Sequence, residues 1–157
     1  MPLTREQLIE RFNAKQPPTA LLFGMTVLDV DQAQGRVKMS FNPSAQLCNP
    51  RGTIQGGMVA AMLDDAAAFA GIVALGEPGF IASLELKATF FAAAYPGTLY
   101  AEGHCIKMGR TTCFVEADLK DADGKLLARL TSSAVPIRST QKPNLVDSPA
   151  PQTGDKS

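Results

Sequence analysis

The stretch that decides the fold is residues 57–75, which read GMVAAMLDDAAAFAGIVAL. Ala, Met and Leu dominate this stretch and it contains no proline, so its helix propensity is high throughout. Apolar residues occupy nearly every face, which is typical of a helix enclosed by other structure and not of one lying on a surface. Gly76 and Pro78 follow and predict its end. We therefore expect one central, buried helix.

Segments with strand character flank this helix on both sides. Before it lie residues 25–31 and 36–41, and in the second of these Val37, Met39 and Phe41 alternate with polar residues. Residues 42–54 are predicted to form a loop. After the helix come four strand-like runs, with turn signals between them: residues 81–91, 98–107, 111–120 and 126–137. Their short connections predict an antiparallel meander of four strands.

The two ends of the chain differ in character. Thr4 and Gln7 have the spacing of a capping box, which predicts an N-terminal helix over residues 4–14 that ends before Pro17 and Pro18. A short helical turn is expected at residues 19–23. Residues 139–157 are rich in Pro, Ser, Lys and Asp and lack periodicity, which predicts a disordered tail. The fold class is therefore α+β in a domain over residues 1–138, with a sheet of about six strands beside one helix.

Composition excludes several classes of protein. The chain has 157 residues, enough for one domain, with 45% hydrophobic and 19% charged residues. Fifteen Lys and Arg balance fifteen Asp and Glu, which argues against a nucleic-acid partner. Three cysteines without CxxC spacing indicate neither a disulfide framework nor a metal site. No uninterrupted apolar run reaches about 18 residues and the N-terminal sequence lacks a secretory h-region, so we expect no membrane association and a cytoplasmic location.

Two adjacent acids, Asp64 and Asp65, interrupt the apolar helix. Burying an ionised carboxylate without partners costs several kcal/mol, and aspartate is a poor residue for the middle of a helix. One explanation is structural: an aspartate faces solvent through a gap, caps a neighbouring loop or, for Asp65, forms a hydrogen bond that supports the helix. The other explanation is that the pair has a chemical role.

The helix is preceded by Gln55-Gly56-Gly57. Two glycines at a helix start let a ligand approach the backbone, where unpaired amide donors at the positive end of the helix dipole could hold a developing oxyanion. Asp64 lies two helical turns after Gly57 and on the same face, whereas Asp65 points about 100° away. An ordinary glycine-containing turn is the alternative explanation.

Together, Asn49, Gln55-Gly56-Gly57 and Asp64 resemble the signature N-x5-HGG-x6-D of hot-dog-fold acyl-CoA thioesterases of the phenylacetyl-CoA thioesterase type. The resemblance extends over residues 23–138. Further matching segments are SLELKATFF at residues 83–91, the Tyr-Pro-Gly turn at 95–97, KMGRT at 107–111 and the Asp-Gly turn before the last strand. The resemblance implies a hot-dog fold, in which an antiparallel sheet wraps around one central helix.

The resemblance also implies roles for individual residues. Asp64 would attack the thioester carbonyl or activate a water molecule, and the backbone N–H of Gly57 would polarise that carbonyl. Asn49 would orient the carboxylate or the water, and Ser83 would assist the nucleophile, although strand alternation places Ser83 on the polar face with Glu85. In the family the carboxylate and the glycine amide come from opposite subunits, which implies a homodimer or homotetramer with the site at the interface.

One position departs from the family signature, because Gln55 stands where the family has histidine. Glutamine can donate a hydrogen bond to the thioester but cannot carry a proton at neutral pH. This difference leaves a mechanism based on Asp64 and Gly57 intact and argues against the related hydratases and dehydratases, which depend on a histidine. The only histidine, His104, lies in a later strand and is expected to be structural.

Substrate binding is predicted at two places. Gly56 would allow the substrate to approach the helix start, and the turn Gly109-Arg110-Thr111 could hold a phosphate of coenzyme A because guanidinium suits phosphate oxygens; a solvated turn arginine is the alternative. The expected function is hydrolysis of an acyl-CoA thioester, with water as co-substrate and with neither metal nor cofactor. The alternatives are a non-catalytic acyl-CoA carrier or sensor, and a structural dimer module.

Overall fold

The computed structural model describes residues 3–139. Three α-helices, one short 3-10 turn and six strands follow one another along the chain. They are α1 Arg5–Ala14, α2 Pro18–Phe23, β1 Thr26–Asp31, β2 Arg36–Phe41, the turn Ala45–Leu47, α3 Gly56–Leu75, β3 Gly79–Phe90, β4 Leu99–Met108, β5 Cys113–Lys120 and β6 Leu126–Arg138. Apart from Ser139, the tail predicted to be disordered at residues 139–157 lies outside the described residues, and the domain extent of 1–138 stays a prediction.

The first helix begins as the sequence predicts. The Thr4 hydroxyl accepts a hydrogen bond from the Gln7 amide at 3.2 Å, and the Gln7 side chain accepts one from the Thr4 amide at 2.9 Å, which confirms the capping box. The Asn13 side chain then pairs with both backbone groups of Val27 on β1, at 2.8 and 2.9 Å. Helix α1 is thereby fastened along the outer edge of the sheet.

All six strands form one antiparallel sheet in the order β1-β2-β4-β5-β6-β3. The prediction of a four-stranded meander is wrong for β3, which pairs with β6 instead of β4. Strand β4 already has β2 and β5 as neighbours, so β3 occupies the free side of β6. Residues 91–98 cross between the two positions, and the Ala94 carbonyl in this crossover accepts a hydrogen bond from Ile54 just before α3.

Helix α3 is the predicted central helix and contacts strands β2 to β6. One side of it is fully buried, including Met62, Leu63 and Ala66. Gly103 on β4 allows the helix and the sheet to approach closely, because a Cβ atom there would collide with the Ala66 carbonyl group. The six-stranded antiparallel sheet curved around this helix confirms the predicted α+β hot-dog architecture.

The apolar character of α3 corrects the expectation that no segment of the sequence is long and apolar enough to span a membrane. With 20 residues and a mean hydropathy of 1.8, this helix is long and apolar enough by composition to cross a membrane. The two aspartates interrupt its apolar run without lowering the average enough to exclude a span. Its packing against five strands gives the apolar residues a different role, which is to fill the core.

Candidate active site

The N-terminus of α3 is accessible to solvent. Gln55 is the N-cap residue, its side chain forms no cap hydrogen bond, and Gly57 is exposed, with open space where a Cβ atom would lie. Within residues 3–139, neither the Gly56 amide nor the Gly57 amide makes a backbone hydrogen bond. The start of α3 therefore presents free donors at the positive end of the helix dipole, as the glycines predict.

Asp64 lies half-buried on the same face of α3 as Gly57. One of its carboxylate oxygens, Oδ1, accepts a hydrogen bond of 3.1 Å from the Ser83 hydroxyl on β3. The structure thus brings together two of the predicted catalytic side chains. A serine hydroxyl at this distance fixes the orientation of the carboxylate and leaves its second oxygen for other partners.

Strand alternation placed Ser83 on the polar face with Glu85, and this prediction is wrong. Ser83 pairs with Ala134 and Glu85 pairs with the preceding residue, Ser133, so Leu84 is an extra residue in a β-bulge. The bulge turns Ser83 toward the helix side, together with the buried Ala134. Glu85 stays on the other side, where its carboxylate accepts a hydrogen bond from the Ser133 hydroxyl at 3.0 Å.

Asp65 has a different environment from Asp64. Its Oδ2 atom is buried and has no hydrogen-bond partner among the described residues, so the expected helix-supporting hydrogen bond is wrong. Burial, and secondly the neighbouring Asp64 carboxylate, raise the pKa of Asp65 to about 6. The two acids therefore have different environments: the Asp64 carboxylate accepts a hydrogen bond from a hydroxyl group, and the buried Oδ2 of Asp65 has no such partner.

This difference predicts a pH-dependent effect of Asp65→Asn on stability. Because folding raises the pKa of Asp65, its ionisation opposes folding, and the cost develops as the pH rises from about 4 to about 6 and persists above. Residual solvent contact reduces the full value of the shift, so we expect Asp65→Asn to stabilise the protein by about 1 to 2 kcal/mol above pH 7 and by little at pH 4. Urea unfolding at both pH values, with the exposed Asp123→Asn as control, measures this gain. An equal gain at pH 4 and pH 8 would contradict it.

Asn49 forms no hydrogen bond with Asp64 within one chain. Its side chain holds its own loop together, donating to the Thr53 hydroxyl at 2.8 Å and accepting from the Arg51 amide at 2.9 Å. Gln55 is exposed, and its side chain makes no hydrogen bond within the described part of the chain. The orienting role of Asn49 and the substrate contact of Gln55 stay predictions.

The predicted phosphate-binding turn joins β4 to β5. Gly109 donates its amide hydrogen to the Thr112 carbonyl at 3.0 Å, and a Cβ atom at residue 109 would collide with that oxygen. Arg110 is exposed and forms no ion pair with the residues that the structure describes. Cys113, at the start of β5, pairs with Ala134, which also pairs with Ser83, so the turn ends about 10 Å across the sheet from the Ser83 backbone.

A cleft of about 490 Å³ lies between α1, the C-terminal end of α3 and the start of β3. Phe12 and Phe69 line it and pack edge to face, with their ring centroids 5.0 Å apart. Ile72, also in its wall, is eight residues after Asp64, or about 12 Å along the helix. Asp64 is not among the residues that line the cleft.

His104 and the cysteines were predicted to have no catalytic role. The His104 ring is 3.8 Å from the Glu116 carboxylate on the next strand, in keeping with a structural role. Burial raises the pKa of the Cys105 and Cys113 thiols, and all three cysteines are free. Residues 3–139 contain no group of three or more His, Cys, Asp or Glu side chains that could hold a metal ion.

This sheet and helix define a hot-dog-fold protein, and comparisons with known proteins agree. The family model described as the thioesterase superfamily matches residues 51–128. A candidate thioesterase from Ralstonia eutropha JMP134, described as related to phenylacetic acid degradation, is 31% identical, with a TM-score of 0.74 over 80% of this chain and 94% of that one. Zebrafish thioesterase superfamily member 2 is 27% identical, with a TM-score of 0.70 over 85% of this chain and 98% of that one.

A third solved structure shares the fold alone. It is a Streptococcus mutans protein bound to acetyl-CoA, 19% identical, with a TM-score of 0.65 over 73% of this chain and 91% of that one. From the family model and the Ralstonia relative it follows that this chain belongs to the thioesterase superfamily. At the level of the family, thioester hydrolysis is the supported activity.

Proposed function

We propose that this protein hydrolyses acyl-CoA thioesters to a carboxylate and free coenzyme A. The observation that carries the proposal is the hydrogen bond between Ser83 and Asp64 on the helix face that also presents the free Gly57 amide. A held carboxylate and an unpaired amide donor are the two groups that thioester hydrolysis requires. Release of free thiol from acyl-CoA substrates tests this proposal directly.

In the proposed reaction, Asp64 acts on the thioester carbonyl in one of two ways. As a general base it removes a proton from water, whose oxygen bonds to the carbonyl carbon; as a nucleophile it forms an anhydride that water then hydrolyses. In both routes the carbon–sulfur bond breaks and the thiolate of coenzyme A leaves. The Gly57 N–H would hydrogen-bond the carbonyl oxygen as it gains negative charge.

Geometry argues that two copies of the chain share each site. Gly57 and Asp64 are seven residues apart on one helix, which is about 10 Å along its axis, whereas a hydrogen bond to the reacting carbonyl spans only about 3 Å. One thioester therefore cannot contact both groups of the same helix. We propose that Gly57 of one subunit and Asp64 of the other act together in a homodimer or in a homotetramer built from such dimers.

The surface for such pairing lies beside the site. Strand β3 is an edge strand with one open side, and its apolar side chains Phe80, Leu84, Leu86 and Phe90 are 44 to 62% exposed. An edge strand with this many exposed apolar side chains is unusual for a monomer, because it invites pairing with another chain. A second copy placed along β3 would cover these side chains and face the open side of α3.

Disrupting this edge is expected to separate the subunits. Leu86→Lys places a charge among the apolar side chains of β3, so we expect the assembly to dissociate to monomers and hydrolysis to fall at least about tenfold. Sedimentation velocity and thiol release measure the two effects. Leu28→Lys, at an exposed leucine of β1 on the opposite edge, is the matched control and should change neither. A stable wild-type monomer with full activity would contradict the shared site.

The alternative function is an acyl-CoA carrier or sensor without catalysis. The observation that favours it is Gln55, because a residue unable to carry a proton replaces the family histidine. Tight acyl-CoA binding without thiol release would be its signature.

A further inference from the structure

Arg138, the last residue of β6, joins three segments of the chain. Its Nε donates to the Glu77 carboxylate at 2.7 Å, in the connection that follows α3. Its Nη1 and Nη2 donate to the backbone carbonyls of Arg110 and Gly109 at 3.0 and 3.4 Å. A planar guanidinium holds donors in a fixed fork, so one side chain fixes two consecutive carbonyls of the β4–β5 turn.

Those two carbonyls determine where the next two amides point. Every peptide bond in the described chain is trans, and in a trans peptide the N–H points opposite to the C=O of the same unit. Because the carbonyls of Gly109 and Arg110 face Arg138, the N–H groups of Arg110 and Thr111 face the opposite side of the turn. Neither amide has a hydrogen-bond partner in the part of the chain that the structure describes.

The outward side of the turn thus combines donors of one kind. Two consecutive amide N–H groups form a backbone concavity that binds anions, and the exposed Arg110 guanidinium, free of ion pairs among the described residues, adds a positive charge. Such a set of donors fits a phosphate group. Three of the five N–H donors of the Arg138 guanidinium are used by Glu77 and by the two carbonyls on the inner side of the turn, which is the arrangement of a positioning residue.

We propose that Arg138 is a positioning residue for coenzyme A recognition: it holds the carbonyls of Gly109 and Arg110 inward so that the amides of Arg110 and Thr111 bind a phosphate of the substrate's nucleotide end. Glu77 fixes the guanidinium from the other side. The inference rests on the proposed acyl-CoA hydrolysis and adds to it the residue that shapes the phosphate site.

Two substrates with the same acyl group test the role of Arg138. One is the coenzyme A thioester, and the other is the N-acetylcysteamine thioester, which keeps the reacting end but has no phosphate. Arg138→Lys keeps the charge and loses the fork, so KM for the coenzyme A thioester should rise about tenfold with kcat within about twofold. Kinetics with the truncated substrate should change less than about twofold, and Arg110→Ala should show the same selectivity.

Arg129→Lys is the matched control, since Arg129 also lies on β6 and donates to an aspartate, Asp118, at 2.6 and 2.8 Å. It should leave both substrates unaffected. An equal loss with both substrates in Arg138→Lys would show a general structural role and overturn the inference, as would no loss with either. If the wild type hydrolyses neither substrate, the proposed function fails. Calorimetric binding of adenosine 3′,5′-bisphosphate then tests the role of Arg138 independently of hydrolysis. Its Kd should rise about tenfold in Arg138→Lys and stay unchanged in Arg129→Lys.

Discussion

Asp64→Asn is expected to lower kcat for acyl-CoA hydrolysis by at least about 100-fold. The asparagine keeps the shape of the side chain and an oxygen that can accept the Ser83 hydrogen bond, but it loses the charge and basicity that both routes of attack require. Folding should survive, because a half-buried charge is removed without leaving a cavity. Thiol-release kinetics measure the loss, and circular dichroism checks the fold.

Asp65→Asn is the control for this experiment. It removes a carboxylate from the next position of the same helix, yet Asp65 has neither the Ser83 partner nor the Gly57 face. Most of the rate should persist, and the main effect should be the stability gain above pH 7. If Asp65→Asn abolishes turnover while Asp64→Asn does not, the assignment of the catalytic carboxylate is wrong by one residue. If neither affects turnover, the carboxylate mechanism fails.

Gly103→Ala is expected to destabilise the protein by at least about 3 kcal/mol. A Cβ atom at this position would meet the Ala66 carbonyl of α3, and because both groups belong to the backbone, no flexible side chain can move to relieve the collision. The helix would have to shift away from β4, and Asp64, two residues before Ala66 on the same helix, would shift with it. Urea unfolding measures the loss of stability.

The neighbouring position of β4 provides the control for Gly103→Ala. Glu102 is exposed on the outer face of the sheet, so Glu102→Ala should change the free energy of unfolding by less than about 1 kcal/mol. A Gly103→Ala variant as stable as the wild type would show that helix α3 and β4 are less closely packed than the structure indicates.

Local patterns in the sequence were enough to predict the elements that carry the fold. The capping box of Thr4 and Gln7 and the apolar run of residues 57–75 each depend on neighbouring residues, and the structure confirms both. The seven-residue spacing, close to two helical turns, placed Asp64 and Gly57 on one helix face. The pairing of β3 with β6 was missed because it depends on which sheet edge is free, a property of the whole sheet and not of any turn.

Single-residue irregularities limited the prediction of the site. The bulge at Leu84 shifts the side-chain alternation by one residue, and no turn residue or proline marks it in the sequence. Arg138 was missed because its partners, Glu77 and the turn at residues 109–110, are distant in the chain and two of the contacts are with backbone carbonyls. The lack of a hydrogen-bond partner for the buried Oδ2 of Asp65 is a consequence of the side chains packed around it, and the periodicity of the sequence does not reveal these neighbours.

The most direct test is thiol release by the wild-type protein from a panel of acetyl-, hexanoyl-, phenylacetyl- and palmitoyl-CoA, with Asp64→Asn measured in parallel. We expect at least one substrate to be turned over many times per subunit, releasing equal amounts of thiol and carboxylate, with that turnover lost in Asp64→Asn. Tight binding of these substrates by calorimetry with no thiol release from any of them would contradict hydrolysis and favour the carrier or sensor.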